Sequence, residues 1–426
     1  MADETKELQG IDWRRCFAFL EILRSFRMAV HPAKLVLCLA GLVASVGLAV
    51  LVDQVPGIGQ TDVNGRSCYG NLHAIVTQTL WGQWAFPYVG GSTLDDFGTF
   101  LMAPVSAVRD FVALGVTYWQ QDTWFALVMT VLGLAIWALV GGAVTRMAAV
   151  RVAREENVPL KKAVAFSLGK WPSLVTSPLI PFGVLVLMAI VVGLLTGLPL
   201  MIPYAGEFVI GVLFGLTLLA GLVMALVLVG GAVSVGLQWP TIAAEGSDSF
   251  DAISRSVSYI TSRPWRYLFY AAFSGLYGCL TFIFIKFLAF LSLRITHAAV
   301  STFSMGRSGA PDKLVRLWDV PTLANPWPAA GVESVDMFWG EASATYLFQF
   351  WVWVVLGVAL AFLVSFFFTS QTVVYFLMRK IVDATDIEEV YMEEGDEEEL
   401  PVEHQVEGPE KVEPESPADE ASADES

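Results

Sequence analysis

The sequence predicts an all-α membrane protein with six transmembrane helices, interfacial amphipathic helices and an internal tandem repeat. Hydrophobic residues make up 55% of the 426 residues, charged residues make up 15%, and the mean hydropathy is +0.60. A soluble chain of this composition would expose large apolar patches. Six stretches are long and apolar enough to cross a bilayer as helices, and two of them end in nearly the same seven residues.

The six predicted spans divide the chain into a lead, a membrane domain and a tail. We expect an uncleaved cytoplasmic lead with an interfacial helix at 1–33, a membrane domain at 34–382 and an acidic tail at 383–426. The long loops 53–122 and 297–344 are expected to face outward, the first with a helix on the outer surface or over the spans. The predicted spans are 34–52, 124–145, 173–198, 208–237, 267–293 and 345–376.

The distribution of charge predicts the orientation. Eighteen of the 25 lysines and arginines fall on one side of the predicted spans, where both termini also lie. The positive-inside rule therefore predicts an inner (cytoplasmic) membrane protein with both termini in the cytoplasm. The segment 383–426 carries 19 acidic residues and one lysine, which accounts for the net charge of −16. This composition predicts a disordered tail, which either only solvates the chain or attracts a basic protein partner.

An internal repeat connects spans 2 and 4. Span 2 ends in LVGGAVT at 139–145 and span 4 ends in LVGGAVS at 228–234, an offset of 89 residues. The same offset pairs Glu156 with Glu245 and Ser167 with Ser256. We therefore predict two tandem units, at about 124–200 and 208–293, each made of a span, an acidic turn, an amphipathic helix, a proline and a span. A third unit split across the termini is a further hypothesis, which requires span 6 to lie beside span 1.

The amphipathic helix of the second unit predicts a contact with lipid headgroups. Phe250, Ile253, Val257 and Ile260 fall on one helical face at positions i, i+3, i+7 and i+10. A short helix with an apolar face and a basic, serine-rich face suits the headgroup layer, whereas the alternative is that it packs under the bundle. The predicted headgroup contacts of the two units are Arg255, Arg263, Arg266, Lys161, Lys162 and Lys170.

A family resemblance rests on the same region. The pattern Ala244-Glu245-Gly246, then Phe250-Asp251-Ala252-Ile253 and Ser256, resembles that of uncharacterised bacterial six-span integral membrane families. It is also similar to the membrane domain found with some glycerophosphodiester phosphodiesterases, over roughly 124–293. Because the catalytic domain of those enzymes is missing from this chain, the resemblance implies a membrane module and not the phosphodiesterase activity.

Few residues suggest chemistry. Lys286 in span 5 and Glu207 at the start of span 4 are charged residues near the same membrane face. They either form an ion pair beside a transport route, or Lys286 extends its ammonium toward the membrane surface. The dispersed cysteines and histidines do not predict a metal site, and no cofactor or nucleic-acid motif is present. We therefore expect a non-catalytic scaffold or accessory protein of unknown oligomeric state that engages lipids and a protein partner, with a permease or channel for a small solute as the alternative.

Overall fold

A computed structural model describes residues 18–55, 65–81, 102–202, 205–303, 314, 317–322, 326, 339–385 and 390–391. These residues form helices and connecting turns, with no β-strand among them. The chain divides into two units, Met1–Val390 and Tyr391–Ser426, and the second lies outside the described residues except for Tyr391. The predictions for the first 17 residues and for most of the acidic tail therefore fall outside the description.

Six helices are long and apolar enough to span a membrane, which confirms the predicted number of spans. Most are longer, at about 1.5 Å per residue, than the roughly 30 Å hydrocarbon layer of a bilayer, so their ends would reach beyond that layer. They are α2 (Pro32–Asp53), α5 (Thr123–Arg154), α7 (Trp171–Leu200), α8 (Ala205–Glu245), α10 (Pro264–Phe303) and α11 (Trp339–Val382).

Of the helical segments that lie wholly within the described residues, five shorter ones lie outside the spans. Three are at the end of the bundle where α2, α7 and α10 begin, which we call the basic end: α1 (Arg24–Ala29, after a 3₁₀ segment at Ala18–Leu23), α6 (Leu160–Gly169) and α9 (Ser249–Ser262). Two are at the opposite end: α3 (Cys68–Ala74, which continues as a π-helix over Ile75–Trp81) and α4 (Ala103–Gln121).

Local sequence signals explain where the helices begin and end. A proline occupies the first turn of α2, α7 and α10, where its missing N–H costs no hydrogen bond. The Asp122 carboxylate caps α5 by accepting a hydrogen bond of 3.0 Å from the backbone N–H of Phe125. Gly246, with a φ of 64°, ends α8 in the left-handed conformation that glycine adopts without strain.

Three helices form the centre of the bundle. The spans α5, α8 and α11 each pack against the other two. A short helix packs along each of these three spans: α6 on α5, α9 on α8, and α1 on α11. The remaining spans lie outside this centre, with α7 against α8, α10 against α11, and α2 between α11 and α5. The structure thus places span 6 beside span 1.

The basic end has a core of its own. Residues 373–378 of α11 are all buried there, among side chains of the 3₁₀ segment, α1, α5, α6, α8, α9 and α10. A helix that is buried on every side requires protein around it, because lipid or water would otherwise cover one face. The ends of the spans and the short helices therefore form one packed layer at the basic end.

Two surfaces of the described chain are apolar and exposed. No residue in the most apolar window of α7 or of α8 is buried, so this hairpin contacts the rest of the bundle mainly near the basic end. The sequence places Val105, Val108 and Val112 on one helical face with Phe97 and Leu101, which lie outside the described residues. On α4 the three valines are exposed, and the helix buries Ala103, Pro104, Ala107 and Tyr118 instead.

Candidate functional site: the basic end of the bundle

A carboxylate at the end of α8 joins three helices. Glu245 accepts a hydrogen bond from the Tyr375 hydroxyl of α11, lies 2.9 Å from Nη1 of Arg255 on α9, and lies 3.6 Å from Nε of Arg379. Its side chain is only 10% exposed. Because a carboxylate with little water around it is stabilised by cationic and hydroxyl donors, this network fixes the end of α8 against α9 and α11.

The helix α9 turns its small polar face into the protein. Ser249, Ala252, Ser256 and Tyr259 are buried, with Ser256 Oγ 3.3 Å from Thr241 Oγ1 of α8. The predicted apolar stripe lies partly outside this contact, and Phe250 at its start is 74% exposed. The side of α9 that faces away from the bundle therefore combines an aromatic side chain with exposed serines. The apolar stripe in the sequence does not by itself reveal this arrangement.

Two side chains of α9 carry shifted pKa values because of their contacts. The hydrogen bond from Arg255 to Asp251 and the nearby Glu245 raise the pKa of the Arg255 guanidinium, which is therefore charged at every physiological pH. Burial and the 2.5 Å hydrogen bond to Asp383 raise the pKa of the Tyr259 hydroxyl. Tyr259 thus donates to the first residue of the predicted tail, and Asp383 is held at the basic end.

The structure places the six predicted headgroup contacts in two kinds of surroundings. Arg263, Arg266 and Lys161 are exposed, and Lys162 is partly buried. Arg255 is occupied by Glu245 and Asp251, although its side chain is 45% exposed. Lys170 donates a hydrogen bond of 2.6 Å to the carbonyl of Gly246, so it holds the end of α8. All six lie at the basic end, and their contact with lipid stays a prediction.

Arg146, which directly follows predicted span 2, also has a structural role. Arg146 of α5 is buried; its Nη1 donates a hydrogen bond of 2.9 Å to the carbonyl of Ala243, and its guanidinium lies 4.5 Å from the ring centre of Phe166. The carbonyl oxygen and the face of the aromatic ring both stabilise the positive charge of the guanidinium. Arg146 therefore connects α5, α6 and α8.

The two intramembrane charges lie in different surroundings. Lys286 is buried, and its ammonium donates hydrogen bonds of 2.9 and 3.0 Å to the carbonyls of Leu80 and Trp81, where the π-helix ends. Glu207 is exposed near the start of α8. Both residues are described, and no ion pair forms between them. Lys286 holds the π-helix against α10, with its charge inside the protein.

The sequence does not reveal the contacts of two further residues at the basic end, Tyr375 and Lys34, because each meets its partner only in the folded protein. Tyr375 lies in an apolar run and carries no motif, yet it donates to Glu245 across 130 residues of sequence. Lys34 was assigned to the edge of span 1, whereas it is buried against Thr369 of α11. The only local signal is the position of Lys34 in the first turn of α2, directly before the apolar run.

The described residues contain no group of three or more histidine, cysteine or acidic side chains that could hold a metal ion. A comparison with models of known families, with curated proteins and with solved structures finds no match to this chain. The class of the protein therefore follows from its own fold: six apolar spanning helices define a multi-pass helical membrane protein.

Proposed function

We propose that the protein is a non-catalytic scaffold or accessory protein of a bacterial inner membrane, with both termini in the cytoplasm. In this proposal, the basic end contacts anionic lipid headgroups and the acidic tail binds a basic protein partner. The observation that carries the lipid part is the orientation of α9: it buries a small polar face and leaves Phe250 exposed, with Arg263, Trp265 and Arg266 exposed directly after it. Aromatic and basic side chains together suit the headgroup layer.

The lipid part is tested with the full-length protein in bilayers that contain a spin-labelled lipid. Electron paramagnetic resonance measures the preference of the protein surface for phosphatidylglycerol over phosphatidylcholine. We expect the double variant Arg263→Gln/Arg266→Gln to lose roughly 1 kcal/mol of this preference per charge removed. Arg294→Gln is the matched control, since Arg294 is exposed near the other end of α10. An unchanged preference in the double variant would remove the lipid part of the proposal.

The partner part is tested by pull-down with the full chain and with a chain lacking 392–426. This deletion keeps Asp383, which accepts the hydrogen bond from Tyr259, and Val390, which packs against the core of the basic end. We expect a basic protein partner to be recovered only with the full chain, because the deletion removes most of the acidic residues of the tail. Recovery of the same proteins with both chains would contradict a binding role for the tail.

We also infer that the chain contains three copies of one unit. The packing of α6 on α5, α9 on α8, and α1 on α11 repeats one relation around the three central spans. The short helices also share a fully buried serine: Ser25, Ser167 and Ser256. This arrangement supports the predicted duplication and the hypothesis that the third unit is split across the termini, with α11 as its first span and α2 as its second.

The alternative function is a permease or channel for a small solute. Its support is that Lys286 is a buried cation within a span, a position that often marks a transport pathway. The bonds from its ammonium to Leu80 and Trp81 favour a structural role instead. A liposome flux assay with a panel of small solutes separates the two functions: flux by the wild type that Lys286→Ala abolishes would establish the permease.

A further inference from the structure

A basic cavity lies at the basic end, between α1, the first turn of α2 and the end of α5. Its volume is about 170 Å³, and it is partly open to solvent. Two arginines, one lysine and one histidine line the cavity, and no acidic residue does. The lining residues are Arg27, Met28, His31, Lys34, Met147, Arg151, Asn157 and Val158. The cavity therefore concentrates positive charge at one place.

Lys34 is the buried cation of this cavity. Its residue is 3% exposed, and its ammonium donates one long hydrogen bond of 3.4 Å to Thr369 Oγ1. An ammonium carries three N–H donors, and burying it without an anionic partner costs free energy. Among the described residues, no carboxylate lies within ion-pair distance of Lys34, so the protein itself does not balance this charge.

Arg151 and Arg27 add two guanidinium groups. Nη1 of Arg151 donates hydrogen bonds of 2.6 Å to the carbonyl of Glu155 and 3.0 Å to Asn157 Oδ1, which fixes the guanidinium against the turn after α5. These bonds use one of its two terminal nitrogens. Arg27 is exposed, and neither arginine forms an ion pair with a described residue. Partial burial and the positive charges of Lys34 and Arg151 lower the pKa of His31, as expected in an electropositive cavity.

A neighbouring cavity provides the contrast. It lies between α1, α5 and α11, and it also contains an arginine, Arg24. There the guanidinium is paired, with Glu21 at 3.1 Å and with Glu155 at 2.5 Å. The positive charge of that cavity is therefore balanced by the chain. The cavity around Lys34 differs because its lining contains cationic hydrogen-bond donors and no carboxylate that would balance their charge.

We propose that the cavity around Lys34 binds a phosphate group, carried by an anionic phospholipid headgroup or free in solution, through Lys34, Arg27 and Arg151. Phosphate oxygens accept the charge-assisted hydrogen bonds that guanidinium and ammonium groups donate. Lys34 lies in the first turn of α2, directly before its long apolar run, which is the depth of lipid headgroups. Basic pockets between spans at this depth suit lipid phosphates. The proposal does not depend on the exposed face of α9.

The test is isothermal titration calorimetry with the full-length protein in a non-ionic detergent. The probes are dihexanoyl-phosphatidylglycerol, dihexanoyl-phosphatidylcholine and inorganic phosphate. We expect phosphatidylglycerol to bind the wild type, and we expect Lys34→Met and Arg27→Gln each to weaken this binding by about tenfold or more. Binding of inorganic phosphate with the same dependence on Lys34 identifies free phosphate as a sufficient ligand; binding of phosphatidylglycerol without phosphate identifies the lipid.

The control variant is Arg294→Gln, which removes an exposed charge near the other end of α10, away from the cavity. It should bind phosphatidylglycerol like the wild type. A loss with the surface variant Arg263→Gln/Arg266→Gln and none with the two cavity variants would overturn this inference and leave the proposed function in place. Equal binding by the wild type and the two cavity variants, or no binding of either anionic probe by the wild type, also overturns it. Arg27→Gln keeps the test decisive if Lys34→Met does not fold, because Arg27 is exposed.

Discussion

At the residue scale, two glycines with the same local sequence have different surroundings. A Cβ added at Gly141 would clash with the indole of Trp239 and would lie 2.8 Å from the ring of Phe368, where the three central spans meet. A Cβ added at Gly230, its equivalent 89 residues later, would meet no atom within 4 Å. Only the first glycine is therefore required for close packing of helices.

We predict that the two Gly→Ala variants have different effects on the stability of the protein. Gly141→Ala should destabilise the protein by about 1–3 kcal/mol, because the added methyl overpacks the contact with Trp239. Gly230→Ala should leave stability unchanged or raise it by up to about 1 kcal/mol, since alanine is the better helix former. Thermal unfolding in detergent, followed by tryptophan fluorescence, measures both. Equal melting temperatures for the two variants would contradict the packing described for the central spans.

The network around Glu245 gives a second prediction at this scale. Glu245→Gln should destabilise the protein by roughly 3 kcal/mol, because it leaves Arg379 and Arg255 without their shared carboxylate in a mostly buried site. Glu207→Gln is the matched control, because Glu207 is exposed near the start of the same helix. Thermal unfolding again provides the measurement. A loss in the control equal to that in Glu245→Gln would mean that the network contributes nothing specific.

At the element scale, α9 has two faces with separate roles. Ser256 is fully buried against Thr241, so α9 packs on α8 through small polar residues, whereas Phe250 lies outside that contact. The periodicity of the sequence predicted the helix and its apolar stripe, and it left open whether the helix lies in the headgroup layer or packs under the bundle. In the structure, α9 packs along α8 through small side chains, which permit a close approach.

This difference predicts the effects of one substitution on each face of α9. Ser256→Leu should destabilise the protein by about 1–3 kcal/mol through overpacking, while Phe250→Ser should leave stability within about 0.5 kcal/mol of the wild type. A fluorophore attached to Ser258→Cys, quenched by lipids labelled near the headgroup, should lose quenching when Phe250→Ser is added. Unchanged quenching would show that Phe250 does not anchor α9 in the interface.

At the scale of the whole molecule, the direction of the chain across the membrane is testable. If the positive-inside rule holds, the basic end faces the cytoplasm. Ser258→Cys on α9 should then react with a membrane-impermeant thiol reagent in inside-out vesicles and not in intact spheroplasts, and Gln120→Cys on α4 should show the reverse. Both positions are exposed, and Cys38, Cys68 and Cys279 are buried. The wild type gives the background, and the opposite labelling pattern would reverse the topology.

The sequence by itself determined the number of spans, their approximate limits, the short helices after spans 2 and 4, and the gathering of basic residues at one end. These features follow from local composition and period, since about 20 apolar residues form a spanning helix whatever their neighbours. Tertiary structure alone decided which spans form the centre, which of the two glycines is packed, and how Lys34 and Tyr375 meet their partners. Those relations join residues more than 90 positions apart, and no local pattern specifies which helix faces lie against each other.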